Sequence, residues 1–554
     1  MRRALTLAAN NGVNEKDTIT FSLSSNIIRG KNIILLSELP TISSNLMIDG
    51  TTQPGLGFGG VSAKIIIEPQ NINSCKIGLK IWYADKVEVY GLLILNFMVT
   101  NPLQNPEFCD GISILASTNI TIGALGKGNI ISGNYYGIRC ISNSKPFVTI
   151  GPIEYSYNIV IQSNILGDVP IGRSLQGNIY SIYLGAACNT TIGGDDLELG
   201  NNLLSIISSI FIADGNEDTK TNFTTIIKHN NLRVKFLAQL PPFISCTGII
   251  LQNDLQSKTN CIVANNTIDQ GPGITVLGYK SKSHVFSNKI NTILDSTSLT
   301  CIETILCDSL LIGGDGDSAN IIRKAIVGVR VDSGKFVTIQ QNNISCTSTG
   351  IAISRQRVPV PTIFLQDIQP NGIGTGTTVP FARLEIFNTR NCTNQIYNGE
   401  EFIDTVFADA QGEFKYKGDV NCNTSFTATT TQGTTSKFYV PYNFIIDTTQ
   451  IIIQPSTCGK SNGKIFGLKI FEGVNWEWLD NAGNIVSTTD TSITVPAGTY
   501  FLRATLTSLG CVLTTSMYII RDINPALNDA NVNIKNSFDC KPNSGSITGI
   551  VLLH

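Results

Sequence analysis

Short segments in which apolar and polar residues alternate recur along most of the chain, and they predict strands. Apolar side chains alternate at period two in Gly111-Ile112-Ser113-Ile114 and again in Gly273-Ile274-Thr275-Val276, which is the spacing of a strand with one buried side. Glycine and asparagine interrupt every window long enough for a helix. The pattern therefore predicts an all-β protein.

Two of the recurring phrases give a repeat length between residues 61 and 357. The Gly-Ile phrases at Gly111 and Gly137 lie 26 residues apart, and Asn266 and Asn288, in apolar-x-x-Asn-x-Ile phrases, lie 22 apart. A repeat of this length built from strands and turns predicts a solenoid. About 12 coils of three strands, stacked at about 4.8 Å, would make a rod near 60 Å long. Asparagines at a corner would stack into a ladder.

The stretch Ile48–Gly55, with its Asp-Gly and Pro-Gly turn dipeptides, follows three short apolar segments. In this order the phrases resemble the N-terminal cap and first coils of bacterial surface proteins whose bodies are right-handed parallel β-helices, similar in architecture to pectate lyases. The resemblance implies a cap and first β segments in residues 1–60 and a right-handed parallel β-helix in residues 61–357. The family's opening block is cut short at Met1, so we expect the chain to enter it partway through.

Beyond the rod, the composition changes near residue 358 and predicts a linker at 358–378. Residues 379–445 resemble small β-sandwich modules that follow such rods. The phrase that begins at Cys458 recurs 82 residues later at Cys540, and it resembles the Ig-like repeats of large adhesins in gliding Bacteroidota. This implies one repeat at 446–525, the start of a second at 526–554, and a longer multidomain chain.

Composition narrows the possible partners. Charged residues make up 14% of the chain and the net charge is −2, so no basic surface for nucleic acid is expected. No apolar run reaches the length of a transmembrane span, and no signal peptide is visible.

Few residues suggest catalytic or metal chemistry, and we predict no catalytic or cofactor-binding residue. Four acids follow two Gly-Gly turns, where aspartate is a common turn former. They are also the weak candidates for a Ca²⁺ site; they are Asp195, Asp196, Asp315 and Asp317. Three arginines after Gly-Ile-like phrases are expected to line one face of the rod, either as a solvated face or as a binding surface; they are Arg139, Arg330 and Arg355.

The 14 cysteines show no metal-ligand spacing. Most, such as Cys140 in its strand-like slot, are expected to be small buried hydrophobes. The tail differs, because cysteines flank its modules. Disulfide candidates there are Cys392 with Cys422 and Cys458 with Cys511, with Cys511–Cys540 as the competing pairing.

Two functions remain open. The first is a non-enzymatic extracellular or outer-surface protein, an adhesin whose rod contacts carbohydrate or another cell-surface ligand and whose sandwiches are spacers. The resemblance implies export by a route such as type IX secretion. The alternative is a polysaccharide lyase or glycoside hydrolase acting in a groove of the rod, which would need two carboxyl groups or Ca²⁺-binding acids near a base.

Overall fold

A computed structural model describes the protein as two compact units, residues 1–419 with 423–440 and residues 420–422 with 441–554. The residues that it describes are 1–554 except 24–31, 58–62, 73–74, 99–108, 143–154, 169–176, 186, 215–223, 235–246, 254–258, 270, 272, 280–281, 292–299, 369–372, 390–397, 422, 442–445, 470–473, 489–491, 507–510, 524–525, 529, 537–543 and 554.

The first unit is built of coils that contribute strands to three faces, and each strand pairs in parallel with strands of the coils before and after it. Face 1 contains Asp17–Thr20, Leu46–Asp49, Asp85–Tyr90, Thr118–Ile122, Ser156–Ile161, Ala187–Cys188, Thr191–Gly193, Thr224–Lys228, Asn260–Ala264, Ser283–Phe286, Leu310–Gly313 and Thr338–Gln340. Face 2 contains Asn32–Leu35, Ile65–Pro69, Leu92–Leu95, Ile130–Ser132, Ile165–Leu166, Asn231–Val234, Thr267–Asp269 and Lys289–Asn291. Face 3 contains Ile77–Trp82, Asp110–Leu115, Tyr136–Ile141, Asn178–Gly185, Thr247–Asn253, Ile274–Leu277 and Thr300–Ile305. Three long strands contribute to both faces 2 and 3: Asn202–Asp214, Ile321–Asp332 and Asn343–Ser354.

This topology confirms the predicted all-β fold with a parallel β-helix. The stacked strands already begin at Asp17, well before residue 61. Coil lengths vary more than the sequence phrases suggest, since equivalent corner asparagines lie between 22 and 37 residues apart. The described strands keep their place on the coil while the number of residues between them changes.

The predicted asparagine ladder lies at the corner between faces 1 and 2. Each side-chain amide donates to the side-chain oxygen of the next asparagine, at 2.8 to 3.1 Å. Each member is at most 2% exposed, and a buried stack of this kind satisfies polar groups that would otherwise be costly. The members are Asn129, Asn164, Asn201, Asn230, Asn266, Asn288, Asn320 and Asn342.

The N-terminal end of the rod is covered by a short helix, which the strand pattern did not predict. Helix Arg2–Asn11 buries Leu5 and Ala8 in the core of the rod. The stretch Ile48–Gly55 joins the first coils, because the Gln53 side-chain amide bonds both the N–H and the C=O of Leu23. These contacts account for the position of that stretch at the start of the rod.

The other end of the rod is covered by the described residues of 363–419 and 423–440, which belong to the same unit. Their strands are Phe364–Ile368, Gly374–Thr377, Arg383–Asn388, Glu401–Phe407, Glu413–Tyr416 and Thr424–Thr429. The first two lie in the range expected to be a linker. In the last coil, the Gln341 N–H donates to the Glu385 carboxylate and the Ile339 N–H donates to Thr435 Oγ1, at 2.9 Å each. Earlier corner residues, such as Asn265, donate to the next coil's carbonyl instead. This segment therefore pairs the exposed edge of the last coil.

The second unit contains two antiparallel sheets that share a core around Trp478, Ile465 and Leu502. Trp478 is buried, and Trp476 packs against the same core, as the alternation with Glu477 predicts. One sheet contains Ile452–Gln454, Gly463–Phe466 and Ile493–Val495, and the other contains Val474–Asp480, Ile485–Ser487, Gly498–Leu506, Cys511–Thr514 and Tyr518–Ile520. Shorter pairs join Ser456–Thr457 to Asp522–Ile523, Ala526–Asn528 to Val551–Leu553, and Asn533–Lys535 to Ser546–Thr548.

Candidate functional site

Face 3 presents a column of outward side chains that lie one above another in successive coils. The residues on either side of them point inward and, apart from Ile353, are buried, as Leu79 and Ile81 beside Lys80 are, because side chains alternate along a strand. We call this set the outer column; in strand register it runs through Lys80, Ser113, Arg139, Tyr183, Phe211, Ile250, Thr275, Glu303, Arg330 and Ala352.

Aromatic rings cluster at the middle of this face. Tyr183 and Phe211 stack with centroids 5.2 Å apart and planes 5° apart. Tyr136 stacks on Tyr180 at 5.4 Å and contacts Tyr183 at 5.0 Å. Tyr180, Tyr183 and Phe211 are half-buried, so each keeps part of its surface accessible. We call these four residues the aromatic patch; rings of this kind offer apolar surface at a low cost in side-chain entropy.

A buried ion pair supports the patch from the preceding coil. Arg139 Nη2 lies 2.7 Å from Asp110 Oδ2, and the guanidinium lies 5.5 Å from the centre of the Tyr136 ring. Asp110 is completely buried. Burial raises the pKa of the Asp110 carboxyl, and the charge of Arg139 opposes that shift. Because Asp110 is buried, it positions Arg139 from beneath and is not itself accessible to a ligand.

A second ion pair lies lower on the same face. Lys80 is paired with Glu38, and its ammonium lies 5.2 Å from the centre of the Trp82 ring. Trp82 Nε1 donates to Ser113 Oγ at 3.2 Å. Arg139 and Lys80 are therefore each held by an ion pair with an acid and by a contact with an aromatic ring.

Of the three arginines expected to line one face, Arg139 and Arg330 lie on face 3. Arg139 and Arg330 belong to the outer column, and Arg355 follows the last strand of face 3. Arg330 lies 3.7 Å from Glu303, and Arg355 is paired with Asp332. Sequence reasoning missed the aromatic patch, because Tyr136, Tyr180, Tyr183 and Phe211 are far apart in the chain and the coils between them differ in length.

The Ca²⁺ candidates lie in turns where other groups contact them. Asp315 accepts from Arg383 at 2.8 Å and from two glutamine side chains. Asp195 is 2.8 Å from Lys228. Asp196 and Asp317 are exposed. Across the described ranges, no group of three or more metal-ligating side chains comes together. Calcium binding at these four acids stays a prediction.

The disulfide candidates receive less support. Cys392 and Cys422 lie outside the described residues. Cys458 is an exposed free thiol, and its N–H bonds Ile523 O near one end of the strand Gly498–Leu506. Cys511 pairs with Leu506 at the other end, roughly 26 Å away along the strand. A disulfide needs Cα atoms within about 7 Å, so the register argues against Cys458–Cys511.

Other cysteines lie in the rod. Cys346, in the last coil, is disulfide-bonded, which the sequence did not indicate. The cysteines buried in the rod behave as small hydrophobes, as expected; they are Cys75, Cys109, Cys140, Cys188, Cys261, Cys301 and Cys307.

The fold and this face define a parallel β-helix protein with an aromatic, charge-paired outer surface. No protein-family model matches the chain, and no curated protein matches it. The solved structures that match this chain include a surface adhesin and a phage tailspike. The surface adhesin PfbA of Streptococcus pneumoniae shares 13% identity over 80% of this chain and 94% of its own, with a TM-score of 0.39. The tailspike gp49 of Acinetobacter baumannii bacteriophage Fri1, a capsular polysaccharide depolymerase, shares 10% identity over 80% and 79%, with a TM-score of 0.24. At these TM-scores neither likeness bears on what this chain binds.

No helix among the described residues is long and apolar enough to cross a membrane.

Proposed function

We propose that this protein is an extracellular, surface-associated carbohydrate-binding protein that holds a glycan against face 3 of its β-helix. The observation that carries the proposal is the aromatic patch, with the half-buried rings of Tyr180, Tyr183 and Phe211 beside Arg139. A sugar ring has an apolar face of C–H groups and a rim of hydroxyls. Flat aromatic rings pack against the C–H face, and nearby polar groups form hydrogen bonds with the hydroxyls.

The polar groups needed for the hydroxyl rim are present next to the rings. The half-buried Tyr180 and Tyr183 carry phenolic hydroxyls, which can donate to and accept from a sugar hydroxyl. Arg139 occupies the outer column one coil before Tyr183. A glycan lying along this column would contact one coil about every 4.8 Å.

An extracellular location is supported by the disulfide at Cys346, because disulfides persist in oxidising compartments. Seven other cysteines are buried in the rod, away from oxidants. A Bacteroidota source, export by type IX secretion, Ig-like topology for the C-terminal repeats and a role of those repeats as spacers belong to the same proposal, and they rest on the sequence resemblance.

The test is binding of the full chain to an array of bacterial and plant glycans, followed by titration of each ligand found. Tyr183→Ala and Phe211→Ala should each weaken binding by about tenfold or more, since loss of a central aromatic contact costs about 2 kcal/mol. Phe286→Ala, which removes a half-buried aromatic ring from face 1, is the matched control and should bind like the parent. The absence of any array ligand, or equal affinity in all three variants, would refute the proposal.

A second function, glycan cleavage, is favoured by one observation. Burial raises the pKa of Asp110, and the charge of Glu38, two coils earlier, raises it further. General-acid cleavage of a glycosidic bond also uses a carboxyl with a raised pKa together with a second carboxyl. The test is to incubate the array ligand with the parent protein and with Asp110→Asn and to measure new reducing ends. Release by the parent that is absent in Asp110→Asn would establish cleavage. Stable binding without release would leave the binding function alone.

A further inference from the structure

Each cation of the outer column is paired with an acid that approaches it from another coil. Arg139 bonds Asp110 of the preceding coil, Arg330 lies 3.7 Å from Glu303 of the preceding coil, and Lys80 is paired with Glu38. The segment that carries Glu38 lies against the first strand of face 3, because the Ile42 N–H donates to Lys80 O at 2.8 Å. The column therefore contains cations but presents little net charge.

The remaining members of the outer column are uncharged. Three carry a hydroxyl and three are apolar; they are Ser113, Tyr183, Phe211, Ile250, Thr275 and Ala352. A polyanion gains affinity by meeting unpaired cations and by releasing the counterions that surround it. Within the described part of this column every cation already has an acid, so an anionic glycan would have to displace Asp110 or Glu38 and would meet their charge.

We propose that face 3 selects an uncharged polysaccharide and rejects glycans rich in uronic acid or sulfate. The inference rests on the proposed glycan binding and names its ligand class. A neutral glycan uses the rings for its C–H faces and the hydroxyl and carboxylate oxygens for its hydroxyls, and it leaves the three ion pairs intact. Keeping Arg139 and Asp110 paired avoids the large cost of separating a buried pair of charges.

The first test titrates the full chain with two sets of soluble hexasaccharides. The neutral set is cello-, xylo- and mannohexaose, and the anionic set is hexagalacturonate and hexamannuronate. Each titration is made at about 20 mM and about 500 mM NaCl, which span strong and weak screening. We expect binding from the neutral set with affinity unchanged within about twofold between the two salt concentrations, since the contacts are not ionic.

The outcomes separate the two proposals. Binding of an anionic hexasaccharide that weakens more than about tenfold at high salt would overturn the inference and leave glycan binding intact. Binding of neither set, together with an empty glycan array, would overturn the proposed function itself. Neutral binding that is insensitive to salt supports both.

The second test asks for a gain of function. Glu38→Gln frees Lys80 on face 3, and Glu38 is partly exposed, so the fold should tolerate the change. The matched control, Glu88→Gln, frees Lys16 on face 1. Glu38→Gln should bind hexagalacturonate about two- to fivefold more tightly than the parent, the effect of one freed surface cation. Equal gains in both variants, or no gain in either, would contradict the inference.

Discussion

Removing one asparagine from the middle of the buried ladder should destabilise the rod strongly. Asn230 is 1% exposed. Its Nδ2 donates at 3.0 Å to Ile192 O, Lys228 O and Asn266 Oδ1. Its Oδ1 accepts from the backbone N–H of Asn201 at 3.0 Å and from Asn201 Nδ2 at 2.9 Å. One side chain thus bonds three successive coils.

The magnitude follows from the groups that Asn230→Ala leaves without partners. The Asn201 N–H and one Asn201 amide hydrogen lose their acceptor inside the rod. Each buried donor left unsatisfied costs about 1–3 kcal/mol. We therefore expect a loss of about 4 kcal/mol in the local free energy of unfolding. Asn230→Asp should cost more at neutral pH, because a carboxylate oxygen would face three acceptors.

The assay is native-state hydrogen exchange read by mass spectrometry on peptides that cover Thr224–Val234 and the coils on either side. A loss of about 4 kcal/mol lowers protection of these amides by about three orders of magnitude. Asn231→Ala is the matched control, because Asn231 is the next residue and is exposed; its effect should stay within about 0.5 kcal/mol. Protection in Asn230→Ala within tenfold of this control would refute the reasoning.

Further predictions concern glycine, pH and thiol reactivity. Gly200→Ala should prevent normal folding of its coil, because a Cβ there would lie 1.8 Å from a carbonyl oxygen of the next coil. The control Gly126→Ala, with open space around it and a φ of +67°, should cost about 1 kcal/mol. A small effect of Gly200→Ala in thermal denaturation would contradict this. Burial raises the pKa of Glu385 to about 7 from 4.5, so the folded state binds one more proton than the unfolded state between these two pH values. The free energy of unfolding should therefore fall by about 3 kcal/mol as the pH rises from one to the other. Thermal scans of Glu385→Gln should show a smaller fall, and a pH profile identical to that of the parent would argue against a buried carboxyl. Cys458 should react with a maleimide reagent in the folded protein while buried Cys140 does not, and a Cys458-containing disulfide peptide in non-reducing mapping would restore the predicted pairing.

Much of the fold follows from the residue pattern, because a coil needs the same residue types at the same places. The Gly-Ile phrases at Gly111 and Gly137 mark strands of face 3, and Asn266 and Asn288 are members of the ladder that their spacing suggested. The N-terminal helix was missed because its apolar residues, Leu5 and Ala8, make one short amphipathic turn next to many strands.

The candidate site was harder to predict, because it depends on register. Arg139 could be placed on an outer face from its phrase alone. Its partner Asp110 lies 29 residues earlier in the chain, and Phe211 lies two coils after Arg139. Coil lengths between 22 and 37 residues remove any fixed spacing that would link them. Only the strand pairing brings the ion pair and the four rings together.

The most direct measurement is hydroxyl-radical footprinting, read by mass spectrometry, with and without the neutral glycan identified by titration. This label modifies accessible aromatic side chains. Trp82, Tyr180, Tyr183 and Phe211 should lose reactivity when the glycan binds, while the exposed Phe364, at the far end of the rod, should not change. Protection confined to Phe364, or undiminished reactivity of the four aromatic residues at saturation, would contradict a glycan site on face 3.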